Sequence, residues 1–80
     1  MTDKILKLVE KVMEVNENTE HHVFFEIAPH IKWCEVRIYE GGWKKQVRNE
    51  AEYIRFDYGK YFKKEDYDKI INRLEELLND

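Results

Sequence analysis

Three short segments of this chain alternate so regularly that each, if extended, would present two different faces. In 23–28 one side carries Val23, Phe25 and Ile27, in 33–39 Cys34, Val36 and Ile38, and in 53–58 Ile54, Phe56 and Tyr58. Successive strand side chains point to opposite sides, so these nine residues make one apolar surface. The other side carries Phe24, Glu26, Trp33, Glu35, Arg37, Tyr39, Tyr53, Arg55 and Asp57. That mixture of large rings with charges of both signs is the composition of a surface that touches something.

The flanking segments read as helices. In 3–16, Ile5, Leu8, Val9 and Val12 recur at i, i+3, i+4, i+7, with Leu6 and Met13 widening the stripe. Thr2 or Asp3 is positioned to cap the first amides. Residues 16–20 have no apolar side chain and read as a loop. Pro29 ends the first strand because it lacks the ladder N–H, and Pro29-His30 predicts a tight hairpin into the second. Gly41-Gly42 is the strongest break, after which Trp43 resumes the strand beyond a bulge. A charged connection, 44–52, leads to the third strand, which Gly59 ends. In 64–79, Tyr67, Ile70, Ile71, Leu74, Leu77 and Leu78 form a second helical stripe. Glu65, Asp66 and Asp68 favour the positive end of that helix, and Phe62 is placed to staple onto Tyr67. The sequence therefore predicts one α+β domain over 1–80. Its architecture is a two-layer sandwich of helix, three-stranded antiparallel sheet and helix (αβββα), with both helices on the apolar face.

Eighty residues are close to the lower limit for a self-sufficient core, and 42% hydrophobic content is enough to build one. A net charge of −3 and a pI near 5.6 argue against general binding to phosphate backbones. One cysteine, which the alternation turns inward, excludes an intramolecular disulfide and suits a reducing compartment. No apolar run reaches the length of a membrane span, and there is no signal-peptide pattern, so a cytoplasmic protein is expected.

Enzyme signatures are missing. The chain has no glycine-rich phosphate loop, no serine, and only Thr2 and Thr19 as other aliphatic hydroxyls. Cys34 reads as a buried, inert thiol. His21 and His22 point to opposite faces, and His30 with Cys34 lacks the further ligands zinc needs, so neither metal nor cofactor is expected. Glu26, Glu35 and Asp57 resemble an acid–base group, yet Arg37 and Arg55 alternate with them, and cross-strand ion pairs explain the pattern without catalysis. The expectation is a non-enzyme. The stretch Trp43-Lys44-Lys45-Gln46-Val47-Arg48 places a ring beside three cations, which suits nucleic acid or an acidic protein. A solvated connection balanced by Glu50 and Glu52 is the preferred account, because the cluster is short and its flanks cancel it.

Phe24, Trp33, Tyr39 and Tyr53 together make a patch. Either another part of the chain folds over them, or they meet a second copy or a protein partner, where rings and arginine are enriched. The expected contacts are Trp33, Arg37, Tyr39 and Tyr53, then Phe24, Trp43 and Arg55, with a homodimer through this face as the first expectation.

The element order resembles that of the double-stranded-RNA-binding domain. Ala28-Pro29-His30 looks like that family's Gly-Pro-x-His turn, and Gly41-Gly42 and Lys63-Lys64-Glu65 look like further parts of its pattern. The resemblance implies that His30 enters a minor groove while Lys63 and Lys64 hold phosphates, with Lys44, Lys45 and Arg48 adding charge. The chain departs from that family in its acidic Asp66-Tyr67-Asp68, its compressed strand spacing and its net negative charge. Residues 21–58 also resemble small proteins of unassigned activity encoded by phages and prophages of Gram-positive bacteria. Val23-Phe24-Phe25, Pro29-His30, Glu35-Val36-Arg37-Ile38-Tyr39 and Gly41-Gly42-Trp43-Lys44 carry that likeness. It implies a mobile-element origin and a host or phage protein as partner.

Overall fold

The computed structural model describes residues 1–42 and 51–79. Helix α1 (Thr2–Asn18) is followed by β1 (His22–Ala28), β2 (Trp33–Tyr39), β3 (Glu52–Asp57) and helix α2 (Lys64–Leu78). The strands form one antiparallel sheet in the order β1-β2-β3. The helices pack on each other and on one sheet face, α1 against β1 and α2 against β3. The α+β sandwich expected from the two periodicities is the fold observed.

Its core joins Leu8, Val12 and Val15 of α1, Val23, Cys34, Val36, Ile38 and Phe56 of the sheet, and Tyr67, Ile70, Leu74 and Leu77 of α2. Burying each large apolar side chain contributes about 1.5–3 kcal/mol. Phe56 meets Phe62 and Tyr67 edge-on, with centroids 6.2 and 5.6 Å away, and Phe62 lies 6.3 Å from Tyr67 as the staple requires. The Tyr67 hydroxyl donates to the Lys4 carbonyl at 2.9 Å, joining α2 to the first turn of α1. Burial, assisted by the neighbouring Asp68 charge, raises the pKa of this phenol. Burial likewise pushes the Cys34 thiol up to about 11, which makes it inert.

Several local expectations change. Leu6 and Met13 do not widen the core stripe; they are 62% and 50% exposed. At 3.6 residues per turn they point roughly 150° away from Leu8, onto the opposite side of α1. Ile27, on the apolar sheet face, is 44% exposed because the helices cover β1 at Val23 and Phe25 and leave its end bare. Neither Thr2 nor Asp3 caps α1, whose N-cap is Met1 without a side-chain hydrogen bond. The helix also runs on through Asn18, and Thr19 closes it, its hydroxyl donating to the Val15 carbonyl at 2.8 Å.

Asn16, expected in a loop, lies within the helix and acts as a stand-in strand. Its Oδ1 accepts the Val23 N–H at 2.7 Å and its Nδ2 donates to the Val23 carbonyl at 2.9 Å. The hairpin turn is longer than a two-residue one, spanning 29–32. The Ile31 N–H donates to the Ala28 carbonyl at 3.3 Å, and Lys32 takes a left-handed φ of 57°. After β2, the Gly42 N–H donates to the Tyr39 carbonyl at 3.0 Å with Gly41 at φ 85°, the geometry of a type II turn. A Cβ on Gly42 (φ 99°) would stand 3.1 Å from the Glu20 carbonyl oxygen. The bulge expected at Trp43 lies outside the described residues.

Candidate interaction face

Strand register arranges the outer face in rows across the sheet: His22–Tyr39, Phe24–Arg37–Tyr53, Glu26–Glu35–Arg55 and Ala28–Trp33–Asp57. Six residues expected to make contacts, Phe24, Trp33, Arg37, Tyr39, Tyr53 and Arg55, are thus brought onto one surface. Trp43 lies outside the described residues. Both α1 and α2 pack on the other side, so among the described residues no helix covers this surface.

The rings cover one another in part. Phe24 meets Tyr39 edge-on with centroids 5.5 Å apart, and the Arg37 guanidinium stands 5.4 Å from the Phe24 centroid. The Arg55 guanidinium lies 3.8 Å above the Trp33 ring while its Nη2 reaches Glu35 Oε2 at 3.4 Å. Each such exposed cation–π or ion pair is worth about 0.5–1 kcal/mol, enough to order side chains and too little to hold a fold. Trp33 and Tyr39 are consequently half-buried, whereas Phe24 and Tyr53 remain 40% and 61% exposed.

The three carboxylates are held in different ways. Glu35 is engaged by Arg55, and Asp57 Oδ1 accepts the Gly59 N–H at 2.8 Å, which ties it to the turn after β3. Glu26 stands directly across from Glu35 and has no ion-pair partner among the described residues. Glu26, Ala28, Trp33 and Glu35 line a slot of about 50 Å³.

The residues of the nucleic-acid expectation collect only partly. His30 shares an open groove of about 340 Å³ with Ile31, Lys32, Asp57, Gly59, Lys60 and Tyr61. The groove forms because the hairpin turn packs on the β3–α2 connection, where the Tyr58 N–H donates to the Lys32 carbonyl at 2.8 Å. Lys63 is the exposed N-cap of α2, and Lys64 is paired with Asp68 at 2.9 Å. Lys44, Lys45 and Arg48 lie outside the described residues. Lys32 and Lys60 carry no signal in the sequence, because a lysine in a turn gains a role only when two turns distant in the chain meet.

Arg73 likewise carries no signal in the sequence. From α2 this side chain donates to Glu52 at 2.9 Å and to Glu40 and Glu76 at 3.1 Å, tying the helix to the end of β2 and the start of β3. The hydrogen bond to the Glu52 carboxylate raises the guanidinium pKa still further. Within a stripe-based reading, Arg73 is merely one charge on a solvated face.

Comparison with protein-family models, curated proteins and solved structures finds no match to this chain.

Proposed function

We propose that this chain is a non-enzymatic protein-interaction domain that works through its outer sheet face, pairing first with a second copy of itself. The resemblance of residues 21–58 to phage and prophage proteins of Gram-positive bacteria supports placing that activity in the cytoplasm of a bacterial host. The observation that carries the reading is the row Phe24–Arg37–Tyr53, left bare by both helices, in which exposed rings flank a guanidinium. Such surfaces supply apolar area and directional carboxylate pairing together. Opposite charges on the same face, Arg37 and Arg55 against Glu26 and Asp57, let the surface complement its own copy. Sedimentation equilibrium tests this directly. A dimer that Tyr53→Ala and Phe24→Ala dissociate is expected, and a monomer at high micromolar concentration overturns the self-pairing.

A second reading, binding of double-stranded RNA, is favoured by one observation, the groove that joins His30 to Lys32 and Lys60. It calls for duplex binding at low salt that falls steeply as salt rises and is lost in Lys32→Ala with Lys60→Ala. No mobility shift at low salt removes it.

A further inference from the structure

Both edge strands expose main-chain groups, but those that β1 turns outward belong to apolar residues. Asn16 engages the N–H and carbonyl of Val23 from the side away from β2, so Val23 points both groups outward. Alternation then directs the N–H and carbonyl of Phe25 and Ile27 outward as well. None of these four groups has a partner among the described residues. At the other edge, the Tyr58 N–H turned toward Lys32 means that Tyr53, Arg55 and Asp57 point outward. Charged side chains at an edge deter pairing with foreign strands, and β3 has them where β1 has Phe25 and Ile27.

We propose that the β1 edge between Phe25 and Ile27 receives an extended segment of another protein, added as a fourth strand, with a lysine or arginine opposite Glu26. Main-chain hydrogen bonds at Phe25 and Ile27 supply the attachment, and neighbouring side chains supply the choice. On the inner face, apolar residues of the segment cover the exposed Ile27 and the half-buried Phe25. On the outer face, the residue between them faces Glu26, which already stands against Glu35; like charges directly opposite destabilise, and a cation there relieves the pair. The same charge disfavours a second copy at this edge. A two-fold pairing that uses Phe25 and Ile27 sets Glu26 against Glu26. This site goes beyond the outer-face reading and stands apart from it, because it uses the main chain of β1 rather than Tyr53.

The test is an amide-resolved NMR titration of the full chain with a blocked heptapeptide, Thr-Thr-Val-Lys-Val-Thr-Thr. The amides of Phe25 and Ile27 are expected to shift most and to gain protection from hydrogen exchange. Replacing the peptide's lysine with glutamate should weaken binding at least fivefold, and Glu26→Gln should shrink that difference to below twofold. N-methylation of the two valines should abolish binding, while Tyr53→Ala leaves it unchanged. The proposal is overturned by unmoved Phe25 and Ile27 amides at millimolar peptide, or by equal binding of the N-methylated peptide. Concentration-dependent protection of those amides without peptide also overturns it, since the occupant is then a second copy.

Discussion

On its inner side β2 sends Cys34, Val36 and Ile38 into a layer closed to water, whereas on its outer side Trp33, Glu35, Arg37 and Tyr39 stay half-buried. The backbone is the same for both sets. Two helices shield the inner residues, while among the described residues the outer ones are shielded by their lateral neighbours, through ring edges and stacked guanidinium groups. A residue on the central strand has neighbours on both sides and a residue on an edge strand has them on one. That is why Phe24 of β1 and Tyr53 of β3 are barer than Trp33 or Tyr39. Bare rings on this face are therefore a consequence of position in the sheet, and their places follow from the strand order.

The contrast between the faces sets the scale of each substitution. Phe56→Ala removes an inner ring packed on Phe62 and Tyr67 and should cost about 3–5 kcal/mol in urea denaturation. A loss below about 1 kcal/mol would mean that the inner layer is not a close-packed core. Next comes Cys34, whose thiol is raised from its ordinary value of 9.0 to about 11. A folded pKa above the unfolded one stabilises fully below the unfolded value and is lost as pH climbs through the folded value. Stability should therefore fall by roughly 2 kcal/mol between pH 9 and 11, more steeply than in Cys34→Ala under the same conditions. Parallel curves for the two proteins would place the thiol in contact with water.

Smaller effects are expected away from the core. Asn16→Ala strips the two hydrogen bonds that finish β1 and should cost about 1–2 kcal/mol, with faster exchange of the Val23 amide as its signature. Trp33→Ala loses the Arg55 stack and partial burial, and about 1 kcal/mol in thermal unfolding is expected. Tyr53→Ala should leave monomer stability within about 0.5 kcal/mol. In the proposed dimer, losing this exposed ring from the contact should weaken association by more than about 1 kcal/mol. If Tyr53→Ala instead destabilises the monomer as Phe56→Ala does, the two faces are not the different surfaces described here.

Much of the fold was legible in the chain because its signals are local. Period-two alternation in 33–39 names the inner residues of β2 one by one, and the spacing of Tyr67, Ile70, Leu74 and Leu77 names the buried side of α2. The same logic stumbled at Leu6 and Met13, where apolar character alone extended a stripe that helix geometry directs elsewhere. On the outer face, composition sufficed to nominate Phe24, Trp33, Arg37, Tyr39, Tyr53 and Arg55. It did not disclose that Arg55 would lie on Trp33, or that Glu26 would confront Glu35.

By itself, then, the order of residues determined which segments are strands and helices and which side of each faces the core, because those patterns repeat within one or two turns of chain. The tertiary structure decided which rings are covered, which carboxylates are paired, and that Arg73, Asn16 and Lys32 meet distant partners. It also decided which main-chain groups turn outward at each edge of the sheet. Those outcomes depend on register and packing between segments far apart in the chain, where contact is set by the summed fit of all the elements.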